Sequence, residues 1–403
     1  RHETIAAAYL LLSGIASLTY QVVWVRLLGL SMGSTSAAIG TVLAAFFLGM
    51  ALGSFFAERI TRNRIDDLRA YMVLEALIGL SGLLLLPILL QLDAVMASLP
   101  AWGTSLTAKF VIALVLLCVP TACLGATFPV MASILIRRQG DVGLRMGQLY
   151  SLNTAGAVLG AALSGFVFIP YMGLDGAVYV AAGLNLVIAS SAFYFNRRLR
   201  LAPMNESLLR HVKHRAASPL QAPAVTLLFC TGFIAIAAEV GWTKYLAIFT
   251  GSTIYGFAAI LTVFLFGIAL GSWLIRSHIE RMRAPQLWMA LGLVALGATL
   301  LLTRAGLSMV PTLHEAINDL ALPAAAARGV KYMLVFALLL APTFLFGALF
   351  PLNLKLYCGD VAGVRARVGR AYAVNTIASV AGALLAGFWL IPQFGTDRLL
   401  TGL

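Results

Sequence analysis

The residue with the clearest chemical potential is Glu239. It lies deep in an apolar run, with Trp242 one turn on and Lys244 after it. An ionisable group inside a membrane-length apolar segment is expensive and marks a functional hypothesis by default. A carboxylate flanked by indole rings suits a cationic ligand, because the acid supplies charge and the ring faces attract a cation. The competing expectation is structural: Glu239 forms an ion pair with Lys244 or Arg26 and needs no ligand.

Glu239 has a counterpart. Gly14 to Ser54 aligns without a gap on Gly232 to Ser272 at an offset of 218. Gln21, Trp24 and Arg26 thereby match Glu239, Trp242 and Lys244. The first copy carries a neutral amide where the second carries an acid. Lys109 and Lys331 open matching runs, and with Arg26 and Lys244 they would snorkel to the outer interface or make an outer vestibule basic.

A second block repeats at an offset of 222. It pairs Pro120-Thr121 with Pro342-Thr343, Gly125-Ala126 with Gly347-Ala348, and Phe128-Pro129 with Phe350-Pro351. It continues through Tyr150, Asn153 and Thr154 on Tyr372, Asn375 and Thr376. Three-residue spacing puts each Tyr and Asn on one helix face. There the Asn would bond a neighbouring helix, with ligand contact the alternative. Glu75 has no acidic counterpart, Leu293 standing in its place. Arg59, Arg62 and Arg69 are its expected partners.

The elements that must hold these residues follow from composition. The chain is 61% hydrophobic and 11% charged. Apolar runs near 20 residues recur along it, the length that crosses a bilayer as a helix. We read spans at 5–30, 34–57, 70–92, 108–136, 147–170 and 175–195. The second half gives 223–248, 252–275, 286–303, 330–357 and 369–392, and a sixth span begins at Asp397. The fold class expected is therefore an all-α polytopic membrane protein. It has two parallel repeats of about six helices (1–196 and 223–403), arranged like a major facilitator, with the last helix incomplete. The residues at the end would begin a helix continued in a longer protein.

The charge of +13 raises the question of nucleic acid. Its distribution answers it, since 20 of the 28 basic residues fall in alternate loops or, for Lys355 and Arg370, at the span ends beside them. That is a topology signal, placing the N-terminus in the cytoplasm and excluding a nucleic-acid partner. The basic linker 197–222 has a short amphipathic pattern expected to lie on anionic lipid. The 307–329 loop is expected to hold a short helix. Pro120 and Pro342 would kink their helices, as hinges or as packing features. Gly49-x-x-x-Gly53, Gly267-x-x-x-Gly271 and Gly156-x-x-x-Gly160 read as close-contact faces. The four cysteines show no ligand spacing. No metal, cofactor or catalytic constellation is expected.

These motifs resemble the membrane part of the bacterial fused major-facilitator/spermidine synthase family. The elements that carry it are Tyr20-Gln21-x-x-Trp24-x-Arg26, Ala238-Glu239-x-x-Trp242-x-Lys244, the Pro-Thr-x-x-x-Gly-Ala-x-Phe-Pro runs at 120–129 and 342–351, and Tyr-x-x-Asn-Thr at 150–154 and 372–376. Gln21 departs from the family's Glu. The resemblance implies a bacterial inner-membrane module with a polyamine-like ligand, and a cytoplasmic synthase-like domain. No aminopropyltransferase pattern occurs within 1–403, so such a domain would lie beyond Leu403. Two functions are thus expected as alternatives: a transporter-like module for a small cationic metabolite, or a non-transporting membrane anchor or subunit of a larger complex.

Overall fold

In the computed structural model the described residues are 2–33, 35–62, 67–98, 105–135, 142–198, 221–251, 254–279, 282–358 and 364–403. Most of the basic linker, with its expected lipid-surface helix, lies outside them. The chain forms two compact units, Arg1–Val212 and Lys213–Leu403.

The first unit holds α1 (His2–Met32), α2 (Thr35–Arg62), α3 (Asp67–Leu90), α4 (Leu92–Ala97), α5 (Leu106–Leu135), α6 (Val142–Leu163) and α7 (Ile169–Arg198). The second holds α8 (Gln221–Thr250), α9 (Ile254–Ile279), α10 (Pro285–Ser308), α11 (Val310–Asp319), α12 (Ala324–Cys358), α13 (Val364–Leu385) and α14 (Ile391–Gly402). Among the described residues, ten stretches are long and apolar enough to cross a membrane. The short helix expected in the 307–329 loop is α11.

The duplication extends to backbone conformation. Gly33 and Gly251 have φ of 64° and 78°, at the offset of the first repeat. Gly173 and Gly395 have φ of 74° and 79°, at the offset of the second. Residues with a Cβ avoid this left-handed region, so glycine lets each chain turn where one helix ends and the next begins. Gly173 is the break between the fifth and sixth expected spans, and Gly395 its copy. A π-helical turn precedes each, at Ser164–Phe168 and Ala386–Leu390.

Interlocked backbones hold each unit together. In α2, Gly49 and Gly53 abut Thr121 and Ala122 of α5, while Gly125 of α5 abuts Met50. The second unit repeats this, with Gly267 and Gly271 of α9 against Thr343 and Phe344 of α12, and Gly347 against Ile268. Hydrogen bonds cross both contacts: Ser54 Oγ donates to Gly125 O at 2.9 Å and Ser272 Oγ to Gly347 O at 2.7 Å. Thr121 Oγ1 also donates to Ala45 O at 3.0 Å. Small residues permit this approach, and dispersion and hydroxyl bonds then hold the helices where lipid offers no hydrophobic drive. Pro120, Pro129, Pro342 and Pro351 all lie inside helices that continue past them. Gly156 and Gly160 of α6 close on Leu11 and Ile15 of α1 in the same way.

Candidate functional site

Glu239 sits on α8, eighteen residues from its start, or about 27 Å at 1.5 Å per residue. It is 2% exposed, and its Oε1 has no hydrogen-bond partner. Among the described residues it makes no ion pair, so the expected bridge to Lys244 does not form. Lys244 is half-buried, five residues on. Trp242 is buried against Phe264 of α9, ring centroids 6.5 Å apart. Thr243 Oγ1 donates to the Glu239 carbonyl at 2.8 Å. A buried carboxylate oxygen without donor or cation is a place where a cation or proton gains most from binding.

The counterpart in the first unit is built differently. Gln21 is buried, and Trp24 is 1% exposed. The Trp24 ring stacks on Tyr20 at 5.3 Å and tilts against Phe46 of α2 at 5.7 Å. Arg26 points to the exposed side of α1. The aromatic residues thus recur in both units, whereas the buried carboxyl group at this position belongs to the second.

Glu75 of α3 is fully buried. Its Oε2 accepts a hydrogen bond from Asn185 Nδ2 of α7 at 2.7 Å. Asn185 Oδ1 in turn accepts one from Tyr20 of α1 at 3.2 Å. Glu75 Oε1 and the neighbouring Tyr71 hydroxyl have no hydrogen-bond partner. The expected arginine partner is replaced by an amide: Arg69 is exposed, and the side chains of Arg59 and Arg62 lie outside the described residues.

The paired Tyr and Asn positions serve helix contacts where they are described. Asn375 of α13 lies against Gly232 of α8, with its Oδ1 at the place a Gly232 methyl would take. The Asn153 carbonyl does the same at Gly14. Tyr372 makes an edge contact with Phe350 at 5.2 Å and is partly exposed. The Tyr150 side chain lies outside the described residues.

Lys109 and Lys331 are neutralised or stacked, which argues against the expected basic vestibule. Lys109 pairs with Asp93 at 2.8 Å and donates to Ser31 O. The Lys109 bond, with help from Ser31, holds the Asp93 carboxyl below the usual aspartate value. Lys331 bonds His314 Nδ1 at 3.1 Å and lies 5.7 Å from the Phe249 ring centroid.

Sequence reasoning missed two positions. Asn185 carried no signal of its own, because its partners Glu75 and Tyr20 are 110 and 165 residues away. Asn353 of α12 is 1% exposed, and neither of its amide atoms has a partner. Its repeat mate is Met131, so it is an unlike pair of the same kind as Gln21/Glu239. Among the described residues no group of three or more His, Cys, Asp or Glu could hold a metal.

No protein-family model and no curated protein matches the chain. Solved structures do. A bacterial homologue of the human lysosomal transporter Spinster, inward-facing and unoccupied, is 14% identical with a TM-score of 0.60, over 96% of this chain and 80% of that one. A bacterial homologue of the iron transporter ferroportin, inward-facing, is 14% identical at 0.62, over 99% and 96%. The nucleoside transporter NupG is 12% identical at 0.62, over 98% and 95%. At such identities the likeness is one of fold. The chain is an all-α polytopic membrane protein with the two-repeat architecture of the major-facilitator transporters.

Proposed function

We propose that the chain is a transporter-like module that binds and moves a small organic cation, with Glu239 as its charge partner. The observation that carries this reading is the buried Glu239 carboxylate, with an unpartnered oxygen and no ion pair, in a chain of transporter fold. Trp242 on the same face of α8 offers an aromatic surface to an ammonium group. The resemblance noted in the sequence supports polyamines as the substrate class and a cytoplasmic synthase-like domain as the partner. The alternating basic loops support a bacterial inner membrane with the N-terminus in the cytoplasm.

The test is uptake of labelled putrescine and spermidine into proteoliposomes. Wild type should exceed empty vesicles, and Glu239→Gln, which installs the amide of position 21, should lower uptake about tenfold or more, equal to about 1.4 kcal/mol. Far-UV circular dichroism checks that the variant folds. If wild type moves these amines no faster than empty vesicles, the proposal fails for that class. The duplicated, interlocked helix contacts favour a second reading, a non-transporting anchor or subunit of a larger complex, and that result would support it.

A further inference from the structure

Within the first unit α1, α3 and α7 enclose a polar cluster that the proposed function does not use. Glu75, Tyr71 and Asn185 are 0% exposed, as is Tyr20, and Ser13 is 4% exposed. The face that builds the cluster is written along α3. Glu75, Gly79 and Gly82 stand at i, i+4 and i+7, on one side of the helix. Gly82 leaves room for the Tyr20 ring, and Gly79 for Asn185. The Tyr20 ring therefore takes the place a Cβ of residue 82 would fill, while Gly79 lets α7 pack closely at Ala182 and Asn185.

We propose that Glu75 is a reversible proton-binding site buried in the first unit, with Tyr71 as its hydrogen-bond switch. In the ionised state Asn185 Nδ2 donates to Oε2, and the Tyr71 hydroxyl, which faces the carboxyl with Ser13, is positioned to donate to Oε1. A hydronium ion then gives up a proton, which forms an O–H bond at Oε1 and leaves water behind. The new acid donates to the Tyr71 oxygen, and the Tyr71 hydrogen turns away. Oε2 becomes the carbonyl oxygen and keeps its bond from Asn185. The change inverts one hydrogen bond and moves no heavy atom out of the cluster.

Two features select a proton over a permanent charge. Among the described residues, the groups facing Glu75 supply hydroxyl and amide but no cation, and Arg69 of α3 itself is exposed. Tyr9 and Tyr20 come from α1, with Tyr9 stacked on Tyr71 at 6.0 Å, and Asn185 comes from α7. On α5 the lysine, Lys109, is held by Asp93, and its thiols are Cys118 and Cys123. The ionisable groups of α7 that are described, Tyr171, Asp175, Tyr179 and Tyr194, are exposed. Of α2, Glu58, Arg59 and Arg62 lie outside the described side chains. A fixed charge without a cation costs several kcal/mol at such a site. In addition, the group that faces the carboxyl is a hydroxyl, which can donate to a carboxylate or accept from a carboxylic acid. The site also lies beside the aromatic level of the unit, since Tyr20 precedes Gln21 and stacks on Trp24.

Infrared difference spectroscopy of the full chain in liposomes, titrated with pH, tests this. Wild type should show a carboxylic-acid C=O band that grows on acidification. Glu75→Gln should abolish the Glu75 component, while Glu239→Gln should leave it. Tyr71→Phe should shift its frequency without removing it, and this variant serves if Glu75→Gln fails to fold. A band unchanged by Glu75→Gln, or of constant size across the folded range, overturns the proposal. So does a band that appears only when sodium is withdrawn, which would make this a metal-cation site. Uptake that depends on Glu239 is measured separately, so either idea can fail alone.

Discussion

Replacing Gly53 with alanine should loosen α2 from α5. The added methyl carbon falls onto the Ala122 carbonyl oxygen, 2.7 Å from its carbon and 2.9 Å from Ala126 N. These are backbone atoms of a helix, and they cannot swing aside. Ordinary contact begins at 3.4 Å, so relief of the carbon contact alone needs a shift of roughly 0.7 Å, in a core where overpacking is costly. A shift of that size stretches the Ser54–Gly125 bond, now 2.9 Å, beyond hydrogen-bonding range. Overpacking costs about 1–3 kcal/mol and a lost interhelical bond about 0.6. The better helix propensity of alanine returns up to about 1 kcal/mol. The net loss is about 1–3 kcal/mol, or a fall in Tm on the order of 5 °C. Gly183→Ala on α7 is the control, since a methyl there meets nothing within 4 Å. It should hold or raise Tm. Thermal unfolding of both variants in one detergent, followed by size-exclusion fluorescence, decides the matter. If Gly53→Ala melts at or above wild type, the interlock reasoning is wrong.

Two further outcomes are expected. Asn353→Met places the residue of its repeat mate where a buried amide has no partner, and should raise stability by about 1 kcal/mol, the low end of the cost of an orphaned polar group. A fall in Tm would mean the amide is bonded. Asp93 is held below the ordinary aspartate value by Lys109 and Ser31. As pH falls the unfolded chain therefore takes up this proton first. The clamp stabilises above the ordinary aspartate range, and that contribution is lost as pH drops through the lowered folded value. Asp93 is 61% exposed, so Asp93→Asn should cost less than about 1 kcal/mol at neutral pH and flatten the acid side of the stability profile. An unchanged profile would refute this.

Much of the fold was legible in the sequence because its causes are local. Apolar run length announces a bilayer helix, and a gapless repeat announces two like units. The Gly-x-x-x-Gly faces at 49–53 and 267–271 also read correctly, because close approach needs small residues at one spacing. The site was less legible. Glu239 stood out as a charge in an apolar run, but nothing in the order of residues tells whether Lys244 reaches it. Glu75 drew an expectation of arginine from sequence proximity, and its bond goes instead to Asn185.

The sequence by itself determined that this chain crosses a membrane as a duplicated helical protein, and which pairs of positions differ between the copies. Only the tertiary structure decided what each buried polar atom meets. Helix length and period are properties of a segment, whereas a hydrogen bond between α3 and α7 depends on which faces meet after both have packed. Glu239 without a cation, Asn353 without a partner, and Glu75 held by an amide with a hydroxyl waiting beside it are all consequences of that packing.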